Sequence, residues 1–421
     1  MGMTMTEKIL ARWSGGGPVK PGDLVVVDID AAVFIDNTFF PVYWREILKV
    51  ADPGKIIVVF DHRVPAPDRQ AAAAQVVGRE FVKKFGIKRF HDVGRDVGIS
   101  HVVVADHAYA LPGTILVCAD SHTCSAGAFN CAARGVGAPD MIYAAVTGKT
   151  WFRVGETVRY DVEGRLGAGV TTKDVFLFIA NTFGDHANQN VEIGGPGLQH
   201  LSINARRTIA TMGAEISADF TIFEADDTVI DYVRKRNTKP FEAQSPDKDA
   251  VYKARRTIAL NDIEPLVALP DAVLNNSVPV NKVAGEKINQ AFIGSCANGT
   301  LDDFAIAARV LNGRRVADGV RLIVTPGSQE VYRQALRAGY VQTLVEAGAI
   351  VTNATCGACS GGHMGVLGPG EVCITASTRN FKGRMGDPSA RIFMASPATV
   401  AASAVSGVIA HPGEFTTEAL V

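Results

Sequence analysis

Short β-branched runs recur along this chain at intervals that leave room for a helix between them. DLVVVDID, KIIVVFD, ISHVVVAD, GTILVCAD, KINQAFIGS, GVRLIVTPG and AGAIVTNAT all read as strands. Between them lie helical patterns. PAPDRQAAAAQVVGREFVKKFG is entered through prolines, is rich in alanine and carries lysines in its last turn. LDDFAIAARVLNG begins with acidic residues and stops at Asn-Gly, and SQEVYRQALRAGYVQTLVEAGA continues the alternation. Strand, helix, strand at this spacing implies an α/β protein with parallel sheets covered on both faces. At 421 residues the chain exceeds one ordinary core and is expected to divide into two or three packed domains. QSPDKDAVYKARRTI, charged and poor in apolar residues, reads as a surface connection before a last domain that begins near residue 280.

Polar residues gather just past the strands. Asp61 and His62 follow one strand in VVFDHRVPAP, and His101 opens the ISHVVVAD run. Asp120, Ser121 and His122 follow another in ILVCADSHT. Open α/β sheets bind ligands in the crevice outside the carboxyl ends of their strands, so these groups are placed to converge. An imidazole beside a carboxylate has its tautomer fixed and its pKa raised, which suits it to proton transfer. Asp-His dipeptides also cap helices and satisfy turns, and each of these taken alone has that reading too.

Three cysteines stand in a similar position: Cys296 in FIGSCANGT, and Cys356 and Cys359 in TNATCGACSGG. Three thiolates at strand ends can hold an iron–sulfur cluster, yet a four-iron cube needs four ligands, so one iron stays open as a Lewis acid. A Cys-x-x-Cys pair also serves zinc and redox centres, and with Cys296 and His363 it could complete a Cys3His zinc set. Spacing alone leaves iron–sulfur, zinc and plain buried thiols all open. Cys118, Cys124, Cys131 and Cys373 read as core or strand residues. Seven thiols in a chain of this length suit a reducing cytoplasm better than a disulfide framework.

Arg379 and Arg384 lie in the glycine-containing stretch ASTRNFKGRMGDPSAR, where guanidinium groups suit bidentate carboxylate recognition. Glu192 precedes a glycine-rich turn in VEIGGPG. Formal net charge is −1, so no global field points to nucleic acid or to an anionic membrane. No apolar run of about 18 residues marks a membrane span, and the start has neither a signal-peptide nor a transit pattern. MGMTMT fits the loose myristoylation pattern without a polybasic neighbour and reads as chance. TGKT resembles the end of a P-loop, but Tyr143 sits where the leading glycine is needed. No Gly-x-Gly-x-x-Gly joins a strand to a helix, so a dinucleotide site is not expected.

In chain order, DHRVPA, GISH, DSHT, EIGGPG, GSCANG, CGACSGG, LGPGE and RNFKGR resemble the aconitase superfamily, and within it the large subunits of the isopropylmalate dehydratases. The resemblance runs from TEKILAR to SGVIAHPGEF and is carried by the collinear order of the motifs. It implies three α/β/α subdomains with mostly parallel sheets around a central cleft, without a swivel domain. Their expected spans are 1–125 with the DH and DSHT motifs, 126–280 with EIGGPG, and 281–421 with the cysteines and RNFKGR. It implies that Cys296, Cys356 and Cys359 hold a 4Fe–4S cluster, weakly enough that an aerobic sample is expected to lose it. It pairs His62 with Asp61, His101 with Asp120, and His122 with Glu192 as groups that handle the leaving water and orient substrate. Ser121, Asn188, Arg379 and Arg384 are implied as substrate contacts.

The implied activity is dehydration and rehydration of a malate-type diacid, first of all 3-isopropylmalate and 2-isopropylmalate. A small subunit is implied as partner, closing the cleft and supplying a serine base from its swivelling domain. Ile35, Asp106 (beside His107) and Thr378 depart from the usual motif residues. They leave homoaconitate, 2,3-dimethylmalate and maleate hydro-lyases as alternatives, alongside a non-catalytic zinc- or RNA-binding relative. The expected setting is cytoplasmic, without membrane or nucleic-acid partners.

Overall fold

Five of the seven β-rich runs form parallel strands in the structure, a computed structural model that describes residues 2–415. The end of the segment expected to reach residue 421 lies outside the described residues. The first large sheet orders Arg89–His91, Ile56–Val59, Ala31–Ile35, Ile115–Cys118 and Ala132–Gly135, all parallel. A second holds Thr221–Phe223, Gln189–Gly194, Glu156–Glu163 and Ala254–Ala259, again all parallel. The third orders Ser277–Pro279, Leu266–Ala268, Arg391–Ala395, Val372–Thr375, Gln290–Ile293, Arg321–Val324 and Ile350–Val351. In this sheet Leu266–Ala268 is antiparallel to both of its neighbours and the other pairs are parallel. The chain is therefore α/β with mostly parallel sheets.

Several local readings differ from the structure for physical reasons. DLVVVDID forms Leu24–Asp28, but it pairs antiparallel with Lys149–Arg153 in a separate two-stranded sheet. ISHVVVAD is the helix Ser100–Asp106 despite three valines. Its first turn is fixed from outside, because the Ser100 N–H donates to the Asp61 carboxylate at 2.8 Å. Tertiary capping there overrides β propensity. SQEVYRQALRAGYVQTLVEAGA is two helices, Gln329–Arg337 and Tyr340–Glu346, broken at Gly339 with φ 78°. The charged stretch taken as a connection ends in Ala254–Ala259, an edge strand of the second sheet.

The sheets share cores rather than standing apart. The largest apolar cluster joins Val33, Ile57 and Leu116 of the first sheet to Tyr160, Val191 and Ile193 of the second. Ile99 and Val102, beside the first sheet, pack with Ile293, Val324 and Ile374 of the third. Residue 125 falls within the short 3-10 helix Ser121–Phe129, and Ala132–Gly135 still belongs to the first sheet. Leu266–Ala268 and Ser277–Pro279 already belong to the third. Among the described residues no helix is long and apolar enough to cross a membrane.

Candidate functional site

The carboxyl ends of the first and third sheets face one cleft of about 250 Å³. Asp61 and His62 follow Ile56–Val59, Asp120 follows Ile115–Cys118, Cys296 follows Gln290–Ile293, and Arg379 follows Val372–Thr375. Asp36, at the end of the adjacent parallel strand Ala31–Ile35, fixes the first of these turns. Its carboxylate accepts the backbone N–H groups of Asp61, His62 and Arg63 at 3.4, 3.0 and 2.7 Å. Burial first, then the nearby Asp61 charge, push the Asp36 pKa up to about 6.

One carboxylate organises the imidazoles. Asp120 lies 2.7 Å from His101 Nε2 and 3.4 Å from His62 Nε2, and accepts the His122 backbone N–H at 2.8 Å. Burial opposes its charge, but hydrogen bonds from His101, His122 and His62 hold its pKa well below the ordinary carboxylate range. His62 Nδ1 lies 2.7 Å from Asp61 Oδ1. Burial works against the His62 charge too, yet Asp61 and Asp120 outweigh it and place its pKa well above the ordinary histidine value. His122 is raised in the same way, against burial, by Asp120 and Glu215. The result is a network in which carboxylates favour the charged forms of His62 and His122, so that these imidazoles can give protons to a bound oxygen.

Glu215 was not foreseen from the sequence. It accepts from or faces His122 Nε2 at 2.9 Å and accepts from Arg379 Nε at 2.8 Å. Its pKa lies below the ordinary value because His122 and Arg379 outweigh the burial that would raise it. The expected His122–Glu192 pair does not form. Glu192 sits inside the strand Gln189–Gly194, fully buried, and its oxygens accept from Thr6 N–H, Thr6 Oγ1 and Tyr252 OH at 2.7, 2.9 and 3.2 Å. Asn188 also lies elsewhere. It precedes that strand at the amino end and lines a separate hollow with Arg153 and Gly155, whereas the cleft residues follow their strands. Ser121 is exposed beside the cleft and is not part of its lining.

The cysteines form the other wall. Cys296 is presented by a sharp turn in which Gly294 has φ 158° and Ser295 φ 75°. A Cβ on Gly294 would come within 2.9 Å of the Phe292 ring, so the close approach requires glycine. Cys356 caps the 3-10 turn Gly357–Ser360, and Cys359 lies within it. That loop is tied to the histidine turn: Thr355 Oγ1 and the Cys356 N–H both donate to the Asp61 carbonyl, at 2.9 Å each. Arg384 Nη2 lies 3.8 Å from Cys359 Sγ, and Thr378 Oγ1 lies 3.8 Å from the same sulfur. Cys356 beside it, and then Arg384, favour the Cys359 thiolate against burial.

Behind this wall is a residue the sequence reading passed over, Lys173. It is fully buried, and its Nζ donates to the carbonyls of Ala376 and Ser377 at 3.1 and 2.8 Å. Burial pushes its pKa down to about 8, with Cys296 and Cys359 opposing that fall. This bond pair braces the turn that carries Thr378 and Arg379.

The three cysteines do not form a preassembled tetrahedral site for a single ion. Tetrahedral zinc with sulfur ligands at about 2.3 Å brings its ligand atoms within roughly 4 Å of one another. Among the described residues the three sulfurs do not gather within 4.8 Å, and neither they nor His363 form such a group. His363 Nε2 instead faces the His62 carbonyl at 3.1 Å. Arg384 Nε and Ser377 Oγ are buried without a hydrogen-bond partner in the protein, and such donors suit the sulfur atoms of a cluster. Among the described residues, the side chains that come within single-ion distance are Asp36, Asp61 and His62, but Asp36 is already occupied by backbone N–H groups. Of the motif departures, Thr378 lines the cleft, Ile35 is buried beside it, and Asp106 accepts from Ser328 at the start of Gln329–Arg337.

The sequence matches the aconitase family (aconitate hydratase) over residues 47–284 and 273–407. The 3-isopropylmalate dehydratase large subunit of Mycolicibacterium smegmatis is 54% identical over 97% of this chain and 96% of its own length. A probable 3-isopropylmalate dehydratase large subunit of Methanothermobacter thermautotrophicus is 43% identical over 99% of this chain and 100% of its own length. A probable methanogen homoaconitase large subunit from the same organism is 44% identical over 97% of each chain. Both the family match and these relatives extend over most of the sequence, and the chain belongs to the aconitase family.

Proposed function

We propose that this chain is the cluster-bearing large subunit of a hydro-lyase that dehydrates and rehydrates a malate-type diacid, interconverting 3-isopropylmalate and 2-isopropylmalate. The observation that carries the reading is the single cleft in which Cys296, Cys356 and Cys359 face the Asp120-centred imidazoles and Arg379. The names of relatives 54% and 43% identical point to the same substrate. Cys296, Cys356 and Cys359 would hold a 4Fe–4S cluster, which supplies a Lewis-acidic iron for the substrate hydroxyl.

The chain's own residues do the rest. His62 and His122, held as imidazolium by Asp61, Asp120 and Glu215, donate protons to the departing hydroxide. His101, fixed on Asp120, lines the cleft beside them and orients the substrate oxygen. Arg379 and Arg384 bind a substrate carboxylate, with Lys173 fixing the turn below. A small subunit closes the cleft and brings the base that takes the carbon-bound proton, from a serine on its swivelling domain. The seven free cysteines suit a reducing cytoplasmic setting for such a centre. Homoaconitate is the second substrate to test, because a homoaconitase large subunit is 44% identical.

The test is anaerobic reconstitution with iron and sulfide, on the wild type and on Cys356→Ser. A brown protein with about four irons per chain, lost in the variant, supports the reading. Turnover of 3-isopropylmalate is then measured with a co-expressed small subunit. A colourless protein that holds stoichiometric zinc sinks it.

A further inference from the structure

Arg63 is a cation in the cleft that nothing among the described residues neutralises. It lines the cleft with His62, His101 and Asp120. Its backbone is held at both ends, because its N–H donates to Asp36 at 2.7 Å and its carbonyl accepts from Gln75 Nε2 at 2.9 Å. The side chain runs past Gly362, where an added Cβ would lie 3.7 Å from its Nε. Among the described residues its guanidinium has neither a hydrogen-bond nor an ion-pair partner. The other cleft arginines differ. Arg379 donates to Glu215, and Arg384 turns toward Cys359. The carboxylates that serve the cleft imidazoles are already matched, Asp61 by His62 and Asp120 by His101. Burial, and then the Arg63 charge, lower the pKa of the neighbouring His363, so it offers Arg63 no counter-charge.

A half-buried guanidinium with its donors free and its backbone clamped is a preorganised receptor for a planar anion. We propose that Arg63 binds the carboxylate of the diacid that the C-terminal arginines leave unengaged, making it a specificity-determining residue that selects dicarboxylates over monoacids. This rests on the diacid hydro-lyase reading and extends it to a position on the histidine turn.

The experiment uses the reconstituted two-subunit enzyme as wild type, Arg63→Gln and Arg63→Lys, with succinate and its monoamide succinamate as probes. Calorimetry measures their binding independently of turnover, and kinetics give KM and kcat for 3-isopropylmalate. In Arg63→Gln, succinate affinity falls about ten- to a hundredfold and KM rises to match, as loss of a charge-assisted bond requires. Changes in kcat stay within about threefold, and succinamate binding changes far less than succinate binding, because the interaction is realised on the missing charge. Arg63→Lys recovers part of the loss. Iron content and visible absorption match the wild type in both variants. Unchanged succinate affinity in Arg63→Gln overturns the proposal, as does a loss of iron that accounts for the whole effect. If the wild type binds succinate but does not turn over 3-isopropylmalate, the substrate reading falls while the role of Arg63 as a carboxylate receptor is still decided by the calorimetry.

Discussion

Glu192, fully buried, and Glu215, partly buried, are glutamates of the middle segment whose surroundings give them opposite characters. Glu215 meets an imidazole and a guanidinium, and its pKa falls. Glu192 meets two hydroxyls and backbone N–H groups, too little to offset burial, and its pKa rises. The first closes the cleft chemistry around His122. The second ties the N-terminal helix Met5–Trp13 to the second sheet. Burial of a carboxylate alone says nothing about function; the kind of partner decides it.

The strongest way to break this contrast is on activity. In the reconstituted enzyme Glu215→Gln is expected to lower kcat about 10²–10⁴-fold, because His122 loses the charge that keeps it protonated. Glu192→Gln leaves kcat within a fewfold of wild type. Equal losses in the two variants, measured by steady-state kinetics at matched iron content, would abolish the distinction.

Stability against pH sharpens it. Glu215 has a lowered folded pKa, so its contribution is present above the ordinary value of 4.5 and is lost as pH falls through the folded pKa. Glu192 has a raised folded pKa, so its contribution is present below 4.5 and is lost as pH rises through the folded value. Denaturant melts are therefore expected to show Glu215→Gln destabilised most at neutral pH, and Glu192→Gln close to wild type there. Glu192→Ala, which leaves Thr6 and Tyr252 without their acceptor, is expected to cost about 2–4 kcal/mol.

A smaller effect concerns the imidazoles. His62 and His122 have folded pKa values above the ordinary 6.5, so their charged forms are present below it and are lost as pH rises through the folded values. Dehydration should accordingly hold through neutral pH and decline on the alkaline side. Histidine resonances followed by NMR in the cluster-free protein should titrate late for these two residues. The smallest effect belongs to Asn188→Ala, expected to leave KM and kcat unchanged, since the side chain lies outside the cleft.

How much of this was legible in the sequence depended on distance along the chain. Asp61–His62 and Cys356–Cys359 sit in short motifs right after apolar runs, and the rule of strand carboxyl ends placed them. His101 with Asp120 was reachable through the family resemblance. Glu215 was not, because TMGAEISAD carries no pattern that ties it to a histidine 93 positions away. Lys173 in TTKDVFLF offered one signal, a lysine in the first turn ahead of an apolar run, and burying a lysine demands a local reason. The helix Ser100–Asp106 was misread because its cap is Asp61, a residue of another loop. Local propensity cannot register a cap that only the folded sheet supplies.

The two hydrogen bonds from Thr355 and Cys356 to the Asp61 carbonyl also bear on the order of assembly. They join loops separated by 294 residues, so this pocket wall exists only after the first and third sheets have docked. Contacts of such sequence separation form late in folding. On the proposed reading, a cluster would therefore be assembled on a chain whose first and third sheets have already docked.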